Sequence, residues 1–389
     1  MLQPAGMAIN KNEADTLHFP KISYHYKDDG FYAALTERVN SYFATTGLSK
    51  QDNLKMYAKS AVQLGAWFFV YGCIVSNRFH GWPLFLMQIA FYFIIFLISV
   101  GVAHDGSHNA YSKHKIINKL SYFVFDLIGI NSDMWEYNHN LSHHYVPNIP
   151  LYDSAIDSFG LFRFHPKAPY HKFHRYQHLY IFVIYAFSTL FKIFLLDFIS
   201  FSRNRIGTVQ IGKHSAKEIA YLITTKLFVI SYNLVIPLIV IDEPAWHILA
   251  GFFAGNFLAG ITLGIVFQVT HLSDHSTFPE PDADGIIYNS YPKHIMQTTA
   301  DFSTQNGVVT WVSGGLNIHV AHHLFPKISQ IHLPAIAKIV KTTAAEYGIG
   351  YKEYPTVLSA LRSHFRLLKK LGSKQDFAAN EWPLDKSAA

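Results

Sequence analysis

Four long stretches of this chain are almost entirely apolar, and each is long enough to cross a lipid bilayer as a helix. A crossing helix needs about 20 apolar residues, because each residue adds only about 1.5 Å to its length. The clearest stretch, PLFLMQIAFYFIIFLISVGVA, has 21 residues and no charged side chain. The pattern predicts four spans, at about residues 60–77, 83–103, 219–241 and 244–270.

The third and fourth stretches carry details that affect packing. Lys226 is the one charged residue of the third, near enough to its start for the ammonium group to reach the membrane surface. The fourth stretch repeats a pair of glycines four residues apart, Gly251/Gly255 and Gly260/Gly264. Small residues at this spacing allow two helices to approach closely, so the fourth span is expected to make a close helix contact.

A fifth apolar run is too short to be predicted as a span. It has 13 uncharged residues, Leu179 to Phe191, and then meets Lys192 and Asp197. Runs of this length more often lie in the membrane surface or inside a protein. Four spans in two hairpins also place every long hydrophilic segment on one face. The pattern favours an all-α integral membrane protein with four transmembrane helices in two hairpins, plus interfacial helices.

The distribution of charge predicts which side the hydrophilic segments face. The chain has 32 basic and 26 acidic residues, and the two short links, 78–82 and 242–243, hold one arginine and two acids. Segments rich in Lys and Arg stay in the cytoplasm, so the hydrophilic cap is expected there. The net charge of +6 then suits lipid head groups better than nucleic acid. The single cysteine, Cys73, excludes a disulfide framework and a cysteine-ligated metal cluster.

Histidine is unusually frequent, with 23 residues, and nine of them gather where the predicted spans end or a hairpin returns. HDGSH follows the second span, HNLSHH comes next, one histidine follows the fourth span, and HVAHH stands near the C-terminus. These nine candidate metal ligands and catalytic residues are His104, His108, His139, His143, His144, His271, His319, His322 and His323.

The spacing within these clusters predicts metal binding. Residues four apart on an α-helix share a face, as His104 and His108 would. His144 would lie about 140° round the helix from His139, which suggests that the second cluster reaches two ions. HVAHH covers an arc of about 100°, suited to a shared focus. Nine imidazoles are too many for one ion, and neutral imidazole without thiolate suits iron, zinc or copper.

Other polar residues near the clusters have two possible roles. Asp105, Asn140 and Asn317 could orient imidazoles by hydrogen bonds, or could equally cap helices and turns. His275 is four residues after His271 and could point at the same ion, and Gln268 could approach a metal through water. The candidates that would support the ligands are therefore Asp105, Asn140, Asn317, Gln268 and His275.

A histidine at a membrane boundary is more often a surface residue than a ligand. His171, His174 and His178 have helix-like spacing but lie among basic and aromatic residues. They are expected at the surface or behind the ligands.

The three clusters and their neighbours make the chain recognisable. HDGSHNAYS, NHNLSHHYVPN and GGLNIHVAHHLFP resemble the three histidine boxes of the membrane fatty acid desaturase family in order, spacing and position. The similarity runs from about residue 60 to the mid-350s. HDGSH and HHLFP are similar to the phrases of front-end acyl desaturases and their bacterial relatives, which usually have glutamine where this chain has His319.

The resemblance implies the fold and the chemistry of that family. The nine histidines would bind two iron ions in a cytoplasmic cap over a four-helix membrane stem. With O₂ and two electrons, the centre would remove two hydrogens from an acyl chain and leave a cis double bond. The substrate would be an acyl-lipid, an acyl-CoA or an acyl carrier protein. The sequence has no HPGG haem motif, so ferredoxin, rubredoxin or cytochrome b5 would donate electrons as a separate protein.

These expectations divide the chain into three parts. Residues 1–58 form a cytoplasmic N-terminal segment, 59–355 the desaturase domain, and 356–389 a cytoplasmic tail. The membrane would be the cytoplasmic membrane of a bacterium or the endoplasmic reticulum of a eukaryote.

Two other functions stay open. A hydroxylase or ketolase of the same superfamily, acting on a fatty acid, sphingolipid or carotenoid, would use the same ligands and differ in its product. A metal transporter should carry ionisable ligands near the middle of its spans, whereas these histidines gather at one end. The phrases GGLN and HHLFP favour desaturation.

Overall fold

The computed structural model describes residues 20–25, 30–158, 160–207 and 209–373. The outer parts of the predicted terminal segments, residues 1–19 and 374–389, lie outside them. Within the described ranges the chain is mostly helical, and each strand is two residues long. The helical architecture expected from the apolar pattern is confirmed.

Four described helices are long and apolar enough to cross a membrane, and each overlaps most of one predicted span. Their bounds are Leu54–Val75 (α1), Gly81–Ser107 (α2), Ala216–Val240 (α3) and Ala245–Gln268 (α4). α1 starts before the predicted span because Asn53 caps it, accepting a hydrogen bond from Lys55 N at 2.9 Å. α2 runs past its predicted end at residue 103, so His104 stays on the helix.

Glycines bring α4 close to two neighbours. An added Cβ at Gly251 would overlap the side chain of Gln88 on α2. One at Gly264 would overlap the ring of Tyr185, which lies on the helix Lys172–Ala186. The close contact predicted from the glycine spacing is therefore confirmed, on two faces of α4.

The fifth apolar run forms the bent pair, two helices with bounds Lys172–Ala186 and Ser188–Phe201 that meet at 65°. By length and composition, this pair fits a broken span or a re-entrant segment. Its location in the membrane surface stays a prediction.

The side chain of Lys226 corrects the prediction that it reaches the membrane surface. The residue is 3% exposed, and Nζ lies 2.6 Å from Asp197 Oδ2 in the bent pair. Nζ also donates a hydrogen bond to the carbonyl of Gly129 at 2.6 Å. Lys192 contacts the other oxygen of Asp197 at 2.7 Å. The prediction was wrong because Lys226 forms an ion pair with the buried carboxylate of Asp197 inside the protein.

The two short links between the apolar helices lie together. Asp242 N donates to Asn77 Oδ1 at 2.7 Å, and Gly81 N donates to Glu243 Oε1 at 2.6 Å. The second bond is the main reason that the pKa of Glu243 falls below its usual 4.5. Both links therefore lie at one end of the bundle, and the histidine clusters lie at the other.

The cap at the histidine end is built from shorter elements. Its helices are Phe31–Thr46, Lys115–Leu127, Ser132–Trp135, Tyr291–Thr298, Gly307–Val312, His319–Leu324, Leu333–Glu346 and Val357–Leu371. Two strand pairs are parallel and one is antiparallel: Ser23–Tyr24 with Ile286–Ile287, Asp301–Phe302 with Glu353–Tyr354, and Arg205–Ile206 with Val209–Gln210. These pairs join segments that are far apart in the sequence or close a short hairpin.

A hydrophobic core fixes the third histidine cluster in the cap. The helix His319–Leu324 buries Val320 and Leu324 in one apolar cluster with Leu35 and Ile336 of two longer cap helices. Because these apolar side chains point into the core, the imidazoles of the same short helix are directed towards the other histidine clusters.

Candidate metal centre

The first histidine cluster continues the helix α2. A π-helical segment, Ser99–Ala103, precedes His104. The rings of His104 and His108 lie 4.8 Å apart, on the common face that the spacing predicts. Their Nε2 atoms lie 3.0 and 3.1 Å from Nε2 of His139, so the first cluster meets the second.

The second cluster is wound as a π-helix, Glu136–His143, where the spacing predicted an α-helix. The amide of His144 donates to the carbonyl of His139 at 2.9 Å, five residues back. A π-helix holds more residues per turn than an α-helix, so His144 returns towards the side of His139. Their Nε2 atoms are 3.2 Å apart. The wider turn brings the three imidazoles of this cluster to one side.

The third cluster enters through a tight turn. Gly314 and Gly315 have φ angles of 62° and 78°, which glycine adopts without strain. An added Cβ at Gly314 would overlap the carbonyl of Val100 on α2. This turn sets the third cluster directly against the end of α2.

The nine imidazoles lie together as two groups of four and one further ring. The first group is His104, His108, His139 and His322; the second is His143, His271, His319 and His323. Within each group, the candidate ligand nitrogens all lie within 4.8 Å of one another. Nε2 of His144 lies 3.1 Å from that of His322, so His144 extends the first group.

The third cluster does not share one focus, as its spacing had suggested. His322 belongs to the first group, whereas His319 and His323 belong to the second. The two groups are adjacent, and an arc of about 100° on one helix is wide enough to face both. The second cluster also divides, with His139 in the first group and His143 in the second.

Burial keeps seven of these imidazoles neutral. Loss of solvation, followed by repulsion from neighbouring imidazoles, lowers the pKa far below 6.5 in His139, His144, His271, His322 and His323. The same causes lower the pKa of His108 and His319 to about 3. Neutral imidazole is the form that binds a metal ion.

The tautomers of three imidazoles are fixed by acceptors. Nδ1 faces Asp153 in His143 (3.1 Å), the carbonyl of Thr298 in His271 (3.3 Å) and the carbonyl of Leu316 in His319 (3.0 Å). These oxygens accept hydrogen bonds, so Nδ1 carries the proton and Nε2 keeps a lone pair.

These lone pairs converge without a proton between them. The Nε2 atoms of His143 and His271 lie 3.1 Å apart, and Nε2 of His319 has no hydrogen-bond partner among the described residues. Two lone pairs at this distance repel each other unless a cation lies between them. The donor set, nitrogen without thiolate, suits a borderline transition metal. The residues present therefore fit a pair of bound metal ions.

The three polar residues inside the clusters contact other groups. Asp105 accepts hydrogen bonds from Ser329 Oγ and Gln330 N. The amide of Asn140 donates to the carbonyl of Ser107, at the end of α2, at 3.0 Å. Asn317 donates to carbonyls of the turn at residues 302–303. All three brace the backbone around the clusters, which matches the capping and turn role that the sequence left open.

Other histidines lie apart from the two groups. The side chain of His275 is 66% exposed and its ring stacks on Tyr354. Gln268 ends α4 and is half-buried. His174 was expected at the surface or behind the ligands. It is fully buried, because its ring forms hydrogen bonds with the backbone of His171 and Gly160.

Sequence reasoning missed Asp153, which faces Nδ1 of His143. The carboxylate is buried and also accepts hydrogen bonds from Asn148 N and Ala155 N, each at 2.8 Å. It stands ten residues after His143 on a separate turn, so no helical spacing connects the two. Trp135 was missed as well, and its ring lies 4.6 Å from that of His139.

Comparisons with known proteins agree with this geometry. Residues 36–355 match the family model described as fatty acid desaturase. The chain is 34% identical over 351 residues to an sn-1 linoleoyl-lipid 6-desaturase of Synechocystis sp., covering 88% of this chain and 96% of the relative.

Two further relatives extend this similarity. An sn-1 linoleoyl-lipid 6-desaturase of Arthrospira platensis is 32% identical, with 91% of this chain and 96% of the relative covered. An acyl-lipid (8-3)-desaturase of Physcomitrium patens is 33% identical over 91% of this chain and 75% of its own length. The chain therefore belongs to the fatty acid desaturase family and is an oxidoreductase that desaturates fatty acyl chains.

Proposed function

We propose that the chain is a di-iron acyl-lipid desaturase whose nine clustered histidines hold two iron ions. The observation that carries this proposal is the pair of buried imidazole groups with converging lone pairs. The relatives named as acyl-lipid desaturases support a lipid-bound acyl chain as the substrate. Iron bound there supplies the activation of O₂. Overall, two hydrogens of adjacent methylenes, O₂, two electrons and two protons give a double bond and two waters.

The residues of the chain itself position the substrate and exclude water. The ring of Trp135 lies 4.6 Å from that of His139, and the ring of Phe267, near the end of α4, lies 6.2 Å from that of His104. A cavity lies between α2, α3, α4 and the bent pair. Its lining includes Phe96, Ser99, Ile193, Ala259 and Leu263. An acyl chain in this cavity would lie with its tail in the apolar bundle and its reacting methylenes beside the histidines.

The centre faces the cytoplasm in this proposal, and the apolar helices cross the membrane as two hairpins. The hydrogen bonds between the two short links support this topology, because they bring both links to the end of the bundle away from the histidines. The basic balance of the remaining segments supports the cytoplasmic side. A separate redox protein, such as a ferredoxin, rubredoxin or cytochrome b5, delivers the electrons to this face.

The test is the fatty acid profile of a bacterial host that expresses the chain, with the His322→Ala variant as its control. Gas chromatography–mass spectrometry of methyl esters should reveal a new unsaturated ester in the wild type alone. A derivative that fragments at the double bond gives its position. A hydroxylated ester would replace this proposal by the hydroxylase alternative. Purified wild-type protein should carry two irons per chain.

A further inference from the structure

A second pocket opens beside the metal centre, on the side of α1. It lies between the start of α1, the short helix Gly307–Val312 and the helix Leu333–Glu346. Its inner wall includes Gly315 and Gln330. Gln330 N donates to the carboxylate of Asp105 at 3.1 Å, next to His104 in the sequence. Gly315 stands four residues before His319. The pocket therefore lies directly behind the backbone that carries the first and third clusters.

The charge of this pocket is positive. Three lysines, Lys59, Lys338 and Lys341, line it together with one acid, Glu353. Glu353 is neutralised by Lys341, whose Nζ lies 2.6 Å away. Lys338 is exposed and forms no ion pair with any carboxylate of the described residues. Lys338 is thus left for a ligand, and Lys59 adds a positive charge that the buried carboxylate of Asp105 offsets in part.

Lys59 is held in place before any ligand arrives. Its Nζ donates to the carbonyl of Trp311 at 2.9 Å and to Gln330 Oε1 at 2.7 Å. It also lies 5.1 Å from the centroid of the Trp311 ring. An ammonium group has three hydrogens, so these two neutral acceptors leave one donor for a ligand. The position of the cation is therefore preorganised, which reduces the entropy that binding must cost.

The same pocket lies where the proposed topology puts the surface of the membrane. Lys59 lies in the second turn of α1, one of the four helices long enough to span. Val308 and Trp311 of the short helix are 73% and 44% exposed, and Leu54 at the start of α1 is 81% exposed. Tryptophan beside exposed aliphatic side chains is typical of the membrane interface. A ligand with an anion at the interface and an apolar tail fits this setting.

We infer that this pocket binds the head-group phosphate of a phospholipid that carries the acyl chain to be desaturated. The inference rests on the proposed function. The phosphate would contact Lys59 and Lys338, and the attached acyl chain would start close to the histidines. The pocket would select substrates by head group, separately from the cavity that holds the acyl tail.

The test uses the full-length iron-loaded enzyme in nanodiscs with Lys338→Glu. The control is Lys369→Glu, an exposed lysine on the helix Val357–Leu371, which does not line the pocket. The same acyl chains are supplied as phosphatidylglycerol, as monogalactosyldiacylglycerol and as acyl-CoA. Desaturation is followed by gas chromatography–mass spectrometry, and lipid retained by the purified chain by native mass spectrometry.

We expect Lys338→Glu to raise KM for phosphatidylglycerol about tenfold, the scale of a lost charge-assisted contact, with kcat little changed. Lys338→Arg, which keeps the positive charge, should have the KM of the wild type. In Lys338→Glu, KM for the galactolipid should stay unchanged.

An equal change of KM for both lipids, or no change for either, would overturn the inference. A change of KM for acyl-CoA alone would also overturn it, because it points to a soluble phosphate ligand. A change of KM for the electron donor alone would do the same, because it points to an acidic protein as the partner. If the wild type desaturates no substrate, the proposed function fails, and retained phosphatidylglycerol in wild type but not in Lys338→Glu still decides the inference.

Discussion

At the scale of single residues, the metal centre depends on which nitrogen of each imidazole carries the proton. Asp153 determines this for His143, and backbone carbonyls do so for His271 and His319. A fixed tautomer holds the ring orientation and leaves Nε2 free as a ligand. Asp153 is the only side chain among these three acceptors, so it alone can be changed by substitution.

Asp153→Asn should weaken metal binding by about ten- to a hundredfold, because the amide can turn its NH₂ group to Nδ1 and favour the other tautomer. Iron retained during dialysis against a chelator measures the effect. The control is Asp157→Asn, whose carboxylate is half exposed and contacts Arg203. Equal iron retention in both variants would contradict the role of Asp153.

His322→Ala should remove bound iron and desaturation together, because His322 contacts His144 and belongs to the first group. His275→Ala should leave both, because its side chain is 66% exposed. Iron per chain and product per hour would be measured on both purified variants. Loss of iron in His275→Ala would show that the division into two groups is incomplete.

The nine histidines could be selected from the sequence because they recur at helical spacing where apolar stretches end. Asp153 could not, because its contact with His143 depends on a turn with no periodic pattern. The distribution of the imidazoles between the two groups could not be predicted from the spacing either. It depends on the π-helical winding of the second cluster, which the spacing of HNLSHH does not encode.

At the scale of elements, a buried ion cluster joins the bent pair to α3. Asp197 is fully buried between Lys192 and Lys226, at 2.7 and 2.6 Å. Breaking such a pair by removing one partner leaves an uncompensated buried charge. The two lysines are not equivalent, because the side chain of Lys192 is 20% exposed whereas that of Lys226 is 4% exposed.

Asp197→Asn should destabilise the protein by about 3–5 kcal/mol, since it leaves the buried Lys226 without a counter-charge. Lys226→Met should cost less, because Lys192 still pairs with Asp197. Thermal unfolding in detergent would measure both. The same melting temperature for Asp197→Asn and the wild type would contradict this account.

The cavity between α2, α3, α4 and the bent pair gives a second prediction at this scale. Ala259→Phe should fill part of it and shift the products towards shorter acyl chains, because Ala259 lines the cavity from α4. The control is Leu258→Phe, one residue earlier and 41% exposed. Product chain lengths by mass spectrometry would be compared in the two variants. An identical shift in both would mean that the cavity does not hold the acyl tail.

The apolar helices themselves could be predicted, since hydropathy depends on composition and length. The prediction that failed for these helices concerned the position of one side chain. Lys226 near a helix start was expected at the surface, but a carboxylate 29 residues earlier in the sequence holds it inside. A single sequence pattern does not contain such pairings, because they arise only when distant segments pack.

For the whole molecule, burial of many neutral histidines makes stability depend on pH. The pKa of His108 and His319 is about 3 in the folded chain, against 6.5 for an exposed histidine. Below pH 6.5 the unfolded chain therefore binds protons that the folded chain does not. Stability is fully present above that pH and is lost as the pH falls.

The melting temperature of the metal-free chain should accordingly fall between pH 7.5 and 5.5, most steeply below about 6.5. Each buried histidine contributes at most about 1.4 kcal/mol per pH unit. His275→Ala should show the same slope, because this variant leaves the buried histidines unchanged and its side chain is 66% exposed. A flat profile in the wild type would contradict the neutral state of the buried rings.

The division of the third cluster between both groups has a consequence for biosynthesis. The first group needs His322, and the second needs His319 and His323. A ribosome makes these residues after all four apolar helices have been completed. In the proposed two-iron centre, neither ion can obtain its full set of ligands before residue 323 has been synthesised, so insertion of metal is a late step of assembly. A chain truncated before residue 319 would enter the membrane and still be unable to assemble either site.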